Sequence, residues 1–368
     1  SRTFISSSCS SSSSSAPRGT DMEWMIYGAN GYTGRMVVEE ALRRGLRPVL
    51  AGRNAAELEA MAQQHGLPVR AFGLDNPVAL RTGLNGIGLV LHCAGPFSAT
   101  AAPMLDACLD VGAHYLDITG EIDVFAHCHS RDADAKAKGI VVLPGAGFDV
   151  VPTDCLAALL KRELPAASSL VLAFEAGGGP SPGTAKTSVE GLGKGGRARI
   201  GGQLTRVPLA WKTRTFERDG EQRFAMTIPW GDVYTAYVST GIPDIEVYMG
   251  VPPATAARLR RLRLLGPLLG LGPVQSWLKK QVGKKVRGPS DATRGKTGCV
   301  VWGEVRDAAG NELKRRLRTP NGYEITVTAA LGIVGRLLRG PAPAGGYYTP
   351  STLMGADYVL SLPGVSLD

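Results

Sequence analysis

The residues best suited to chemistry come early in the chain. Gly28-Ala29-Asn30-Gly31-Tyr32-Thr33-Gly34 is a G-x-x-G-x-x-G run followed at once by Arg35. Glycine at these three places allows a tight turn, keeps Cβ atoms away from a pyrophosphate and lets the next helix pack closely on a sheet. The N-terminus of that helix would offer N–H groups and a positive dipole end to the phosphates. A glycine run alone is a weak signal; a strand before it and a helix after it make it a nucleotide loop. Arg53-Asn54 then stands where an NAD-selective fold carries an Asp or Glu for the ribose hydroxyl. A guanidinium there would grip a 2′-phosphate in a bidentate fork, with Arg35 adding charge from the other side. The expected cofactor is NADP(H), held by Gly28, Asn30, Gly31, Tyr32, Thr33, Gly34, Arg35, Arg53 and Asn54. The alternative for Arg53 is a solvated side chain closing a strand.

Three further loops point at the same crevice, because ligands of open α/β sheets bind beyond the carboxyl ends of the strands. The first runs through Ala94, Gly95, Pro96 and Phe97, the second from Asp117 to Glu121, and the third covers 145–154. Glu121 and Asp149 are the candidates for proton delivery or polarisation, each with the alternative of orienting the cofactor or its own loop. The polar residues of the third loop either face the crevice or are structural, Thr153 or Asp154 then capping the next helix. No tyrosine is followed four residues later by lysine, so the Tyr-x-x-x-Lys pair of short-chain dehydrogenases is absent. His127, Cys128 and His129 are adjacent on a helix-like stretch, where neighbours splay rather than share a face, so ordinary helix residues are favoured over a metal site.

The elements that must position these residues alternate. Strands are predicted at 24–27, 48–51, 69–72, 89–93, 114–117 and 140–143, with helices at 34–44, 55–65, 102–111 and 122–138. This is the pattern of βαβ units around a doubly wound parallel sheet, a Rossmann-type α/β domain. After Pro152 longer amphipathic strands at 169–175, 205–217, 222–228 and 297–306 suggest a second α+β domain on a mixed or antiparallel sheet, antiparallel being the economical reading. The glycine-rich stretch 177–202 reads as a loop with a short helix. The expected organisation is a disordered leader or remnant at 1–21, with Met22 a natural start; a nucleotide domain at 22–152; a substrate domain at 153–322; and a C-terminal segment at 323–368, its helix at 323–338 packing back on the first domain.

Composition narrows the class. Of 368 residues, 44% are hydrophobic and 20% charged, which excludes disordered and fibrous chains. Six cysteines without a CxxC pair indicate reduced thiols and a cytoplasmic protein. Lys plus Arg exceed Asp plus Glu by 41 to 32, but the surplus is local. Residues 247–290 contain no acid, and Arg258, Arg260, Arg261, Arg263, Lys279, Lys280, Lys284, Lys285 and Arg287 account for all of the +9. A nucleic-acid partner would want that charge over a broad face, so none is expected. The uncharged stretch 264–278 is too short to span a bilayer. With its basic flanks it reads as an element lying on an anionic membrane, peripheral to its inner face, or else as a helix pair covering the substrate domain or forming a homodimer contact.

The chain resembles the saccharopine-reductase-like family, and within it the branch typified by the trans-acting enoyl reductases of bacterial lipid synthesis. The resemblance rests on GANGYTGR (28–35), AGRN (51–54), CAGPF (93–97), YLDITGE (115–121), GAGFDVVPTD (145–154), GTAKTSVE (183–190), VWGEVRD (301–307), RTPNGY (318–323) and the stretch 347–365. It implies NADP(H) binding by the glycine loop and Arg53, with the CAGPF loop near the nicotinamide. It also implies an oxidoreductase acting on a conjugated C=C or related carbonyl of a hydrophobic, lipid-like small molecule. The alternatives are a saccharopine-type enzyme acting on an amino-acid imine, and a protein that binds NADP without turnover.

Overall fold

The computed structural model describes residues 22–177, 179, 182–286, 290 and 297–368. The leader expected at 1–21, and Arg287 and the Lys284 side chain of the basic segment, lie outside the described residues. The first half alternates β1 (Trp24–Tyr27), α1 (Tyr32–Arg43), β2 (Val49–Gly52), α2 (Ala55–His65), β3 (Val69–Ala71), α3 (Pro77–Gly83), β4 (Leu89–His92), α4 (Phe97–Val111), β5 (His114–Asp117), α5 (Ile122–Ser130), α6 (Asp132–Lys138) and β6 (Val141–Leu143). All pairings among these strands are parallel, in the order β6-β5-β4-β1-β2-β3. Both faces are buried, and successive residues serve different cores. Trp24 and Ile26 pack with Val37, Val38 and Leu58, whereas Met25 and Tyr27 pack with Met104 and Cys108 on the opposite side.

Three helices differ from the sequence expectation by more than one residue, and α3 has no counterpart in it. Helix α1 starts at Tyr32 rather than 34, so Tyr32, Thr33 and Gly34 form its first turn. Helix α4 starts at Phe97 rather than 102. The helix expected over 122–138 is two, broken at Arg131, whose guanidinium pairs with Asp106 and Asp134.

Helix α7 (Val151–Glu163) leads into β7 (Ala167–Ala176), α8 (Pro182–Lys194), the hairpin β8 (Gly196–Ile200) and β9 (Gln203–Val207), then β10 (Thr213–Arg218), β11 (Glu221–Thr227), α9 (Asp232–Thr240) and β12 (Asp244–Gly250). A helical excursion follows, α10 (Pro253–Leu262), a 3-10 turn at Arg263–Leu265, α11 (Gly266–Leu269) and α12 (Gly272–Lys285), before β13 (Cys299–Asp307) and β14 (Glu312–Thr319). The second sheet is mixed rather than antiparallel throughout, because β12 runs parallel to β7 at its centre while their other neighbours run against them. The single strand expected over 205–217 is β9 and β10, separated around Pro208. Helix α7 lies so close to this sheet that a Cβ on Gly303 would stand 2.5 Å from Leu160.

The C-terminal residues join both sheets. Helix α13 (Gly322–Arg339) packs on α1, with Tyr323 edge-on to Tyr32. β15 (Gly346–Tyr347) extends the first sheet beside β6, α14 (Pro350–Met354) follows, and β16 (Ser366–Leu367) pairs with β14 in the second. Neither Thr153 nor Asp154 caps α7, whose N-cap Val150 has no side-chain cap bond. Asp154 is fully buried and accepts a hydrogen bond from Ser239 Oγ and one from the Ser351 N–H at 2.8 Å. It therefore ties α7 to α9 and to the start of α14. Asp154→Ala would leave the buried Ser351 N–H without its acceptor and remove one of the partners of Ser239 Oγ, and is expected to lower stability by about 2–4 kcal/mol, and Asp154→Asn, which keeps an acceptor, by clearly less. Urea unfolding midpoints at constant slope measure the difference.

Candidate functional site

The three glycines after β1 do three different jobs. Gly28 turns the chain with φ +83°, its N–H donating to Ala51 O at 2.8 Å, and a Cβ on it would lie 2.9 Å from the Ala94 nitrogen. Gly34 seats α1, since a Cβ there would come within 2.1 Å of Gly28 O. Gly31 has a single close neighbour, an ideal Cβ standing 3.2 Å from Gly28 O. Helix α1 starts directly behind it with no side-chain cap and no acid in its first turn. A pyrophosphate fits this cradle, because the helix end carries partial positive charge and has neither a side-chain cap nor an acid in its first turn.

At the end of β2 the two arginines part company. Arg35 is committed, its Nε donating to Asn30 O at 2.9 Å and its guanidinium pairing with Glu57 at 3.2 Å. Glu57 also accepts from the Asn30 amide at 3.0 Å and the Asn54 amide at 2.7 Å. Arg53 is exposed and has no ion-pair partner among the described residues, so it is the guanidinium free to take a 2′-phosphate. Glu57 escaped the sequence reading, although Asn54-x-x-Glu57 is the spacing of a capping box and signals the start of α2.

The Ala94, Gly95, Pro96 and Phe97 loop runs into α4, and Glu121 holds that junction. Its carboxylate accepts from the N–H groups of Phe97 and Ser98, each at 2.9 Å, closing the N-terminus of α4. Burial raises the Glu121 carboxyl above its usual range, against the pull of these two N–H groups. Ser98 in turn donates its Oγ to Glu190 of α8 at 2.9 Å, and Glu190 pairs with Lys279 of α12. Lys194, also on α8, pairs with Asp123 at the start of α5 at 2.8 Å. Helix α8 and the segment behind it are thus tied to the first domain at the cofactor loop. Glu190 belongs to a stretch that carries family resemblance, and no local signal gave it this role.

Asp149 differs from Glu121 in having no hydrogen bond among the described residues. It is half-buried against Gly120, where a Cβ would come within 2.9 Å of its Oδ2. Burial, with the neighbouring Glu121 charge adding to it, pushes its carboxyl up to about 7. The peptide after Trp230 closes over the same spot, an ideal Cβ on Gly231 lying 3.2 Å from Gly120 O. Trp230 packs at a tilt against Phe174, 4.9 Å between centroids, and Phe174 meets Phe148 edge-on at 5.7 Å. An apolar wall therefore stands beside a carboxyl poised to hold or release a proton near neutrality.

The His127-Cys128-His129 stretch lies on α5. Cys128 is buried and His129 Nδ1 is 2.9 Å from the Tyr234 hydroxyl. No group of three or more His, Cys, Asp or Glu among the described residues could hold a metal ion. Cys93, Cys108, Cys128, Cys155 and Cys299 are free thiols.

Comparison with known proteins agrees with this geometry. The mouse protein described as saccharopine dehydrogenase-like oxidoreductase is 28% identical over 201 residues, 48% of this chain and 47% of the mouse protein. A probable mitochondrial saccharopine dehydrogenase-like oxidoreductase of Arabidopsis thaliana is 31% identical over 149 residues, 36% of this chain and 33% of that protein. The trans-acting enoyl reductase of Mycobacterium bovis is 28% identical over 153 residues, 38% of this chain and 35% of that protein. The aligned part thus spans less than half the length of these relatives. Among solved structures, saccharopine dehydrogenase (L-Glu forming) from Saccharomyces cerevisiae superposes with a TM-score of 0.65 at 12% identity, covering 94% of this chain and 99% of that one. Homospermidine synthase from Legionella pneumophila, solved with NAD, gives 0.61 at 12% identity over 95% and 91%. At such identity these two show a shared fold. The glycine loop and its sheet lie within residues 24–143, which match the family described as the saccharopine dehydrogenase NADP binding domain.

Proposed function

We propose that this chain is an NADPH-dependent reductase of a conjugated C=C or related carbonyl group in a hydrophobic substrate. The observation that carries the reading is Asp149, a half-buried carboxyl without a hydrogen-bond partner among the described residues, packed against Gly120 and next in the chain to Phe148, which belongs to an aromatic cluster with Phe174 and Trp230. Bound NADPH would supply a hydride to an electron-poor carbon. The chain's own residues do the rest. The α1 N-terminus behind Gly31 binds the pyrophosphate, Arg53 takes the 2′-phosphate, and Glu121 braces the Ala94–Phe97 loop by holding the first turn of α4. Asp149 carries the proton that follows the hydride. Glu121 is a positioning residue, its two oxygens being occupied by backbone N–H groups.

An amino-acid imine substrate bearing several carboxylates would need uncommitted cations. Lys194 is paired with Asp123, while Arg197 and Arg199 donate to the backbone carbonyls of Lys194, Gly196, Gly202 and Val233. That arrangement favours the apolar substrate. NADPH consumption with long-chain 2-enoyl thioesters, run beside saccharopine with NADP, decides between the two. Turnover of saccharopine alone would reverse the assignment, and cofactor binding without turnover of either would leave a nucleotide-binding protein.

Three outcomes test the parts. Arg53→Ala should weaken NADPH by about 1.5–3 kcal/mol, the range of a charge-assisted hydrogen bond, and leave NADH nearly unchanged in a fluorescence titration. Equal losses would show that Arg53 does not read the phosphate. Gly31→Val should lose NADPH, because its side chain would stand where the pyrophosphate is expected; circular dichroism reports whether the chain accommodates the added Cβ near Gly28 O, and normal binding by the folded variant would place the phosphates elsewhere. If Asp149 must be protonated to act, kcat is full below its pKa and falls as pH rises through about 7. Asp149→Asn should abolish that limb of the pH profile and lower kcat by about 10²–10⁴.

A further inference from the structure

The excursion between β12 and β13 divides its basic residues into two groups. Arg260 and Arg263 donate to the carbonyls of Leu209 and Ala210, and Lys279 pairs with Glu190, so these three fasten the segment to the β9–β10 connection and to α8. Arg258, Arg261, Lys280 and Lys285 are exposed, with no ion-pair partner among the described residues. The outward apolar side chains lie in the same segment. Leu265 is 46% exposed, Leu268 57%, Leu271 50% and Trp277 60%, four of the five large hydrophobic residues exposed to this degree among the described residues. Lys280 follows Trp277 by three places on α12, so the two share a helix face.

Exposed apolar side chains and unpaired charges of one sign in the same short segment, with no acid anywhere in 247–290, restrict what can cover it. Two copies of the chain meeting here about a two-fold axis would bring like charges together. A nucleic acid would satisfy the cations and leave the leucines in water. An anionic bilayer satisfies both, the apolar side chains entering the acyl boundary while Lys and Arg remain at the headgroup phosphates. No helix among the described residues is long and apolar enough to cross a membrane, so the contact is an interfacial one.

We propose that residues 253–286 dock on the surface of an anionic lipid bilayer through Leu265, Leu268, Leu271 and Trp277, with Arg258, Arg261, Lys280 and Lys285 on the headgroups. The proposal is independent of which substrate is reduced. It does place a source of lipid-like molecules at the segment whose Lys279 is joined through Glu190 to Ser98 of the cofactor loop.

The test is co-sedimentation of the full chain with vesicles of phosphatidylcholine, with and without phosphatidylglycerol. Binding to the anionic vesicles is expected at low salt, at least about tenfold stronger than to neutral ones and declining as salt shortens the Debye length. Exchange of Arg258, Arg261, Lys280 and Lys285 for Gln should weaken it by tenfold or more, and so should the pair Leu268→Ser and Trp277→Ser. Both variants should retain NADPH affinity, which reports that they are folded. Failure to bind anionic vesicles at low salt overturns the proposal. Insensitivity to the Leu268 and Trp277 changes also overturns it, since insertion would then play no part. A dimer in sedimentation equilibrium that these two changes dissociate would assign the face to a second copy instead.

Discussion

The site is organised by one buried carboxylate whose oxygens are spent on the protein's own loops. Asp117 ends β5, and its side chain accepts from the Tyr115 hydroxyl at 2.7 Å and from the N–H groups of Thr119 and Gly145 at 2.9 Å each. Its carbonyl accepts from Ala146 at 2.7 Å. Thr119 opens the turn that delivers Glu121, and Gly145 opens the turn that delivers Asp149. A single residue therefore sets the spacing of the two candidate acids. Burial raises its carboxyl to about 6, and the three hydrogen bonds pull the other way. An unbonded carboxyl so deep would cost several kcal/mol more, which is why the surrounding backbone is committed to it.

From that clamp the two carboxyls acquire opposite characters. Glu121 meets the free N–H groups of a helix end and becomes a structural acceptor, whereas Asp149 meets Gly120, an aromatic wall and the field of Glu121, and keeps its oxygens unengaged. Two acids with similar sequence signals thus separate by environment, as pairs of catalytic and structural carboxyls do elsewhere. The second domain takes part in the separation, because Trp230 and Gly231 precede α9 and come over Gly120 only when α9 is docked. Asp154, bonded to Ser239 on α9 and to Ser351 of the C-terminal segment, holds that docking. The site accordingly depends on residues more than 200 positions apart.

The legible parts of the sequence were those written in local chemistry. Buried parallel strands are short apolar runs, so β1, α2 and β5 fall where the pattern put them, and the strand-glycine-helix context places the nucleotide loop. What failed did so for non-local reasons. The first turn of α4, Phe97-Ser98-Ala99-Thr100-Ala101, carries no helix-start signal of its own, and its cap comes from Glu121, 24 residues on. Missing that turn also hid why Glu121 is there. The break at Arg131 has neither Gly nor Pro, and β14, Glu-Leu-Lys-Arg-Arg-Leu-Arg-Thr, looks like a solvated run until β13 and β16 are paired to it. Asp149 was visible as a residue at a strand end, but its isolation from hydrogen-bond donors is a property of three loops together.

Charge shows the same division between what is local and what is assembled. Outside 247–290 the remaining 32 basic residues are matched by 32 acidic ones, and many are paired across the surface, as Arg162 with Asp357, Arg214 with Glu304 and Arg318 with Asp219 are. Such exposed pairs add little stability each, yet they leave the surface nearly neutral and make the unpaired cations stand out. Arg53 beside the glycine loop is one, and the outward group on α10 and α12 is another. Arg35 and Arg53 look equivalent in sequence and are distinguished only by Glu57, which neutralises one and leaves the other. The same reasoning separates Lys279, committed to Glu190, from Lys280 next to it. In both places one carboxylate decides which cation holds the fold together and which is left without an ion pair.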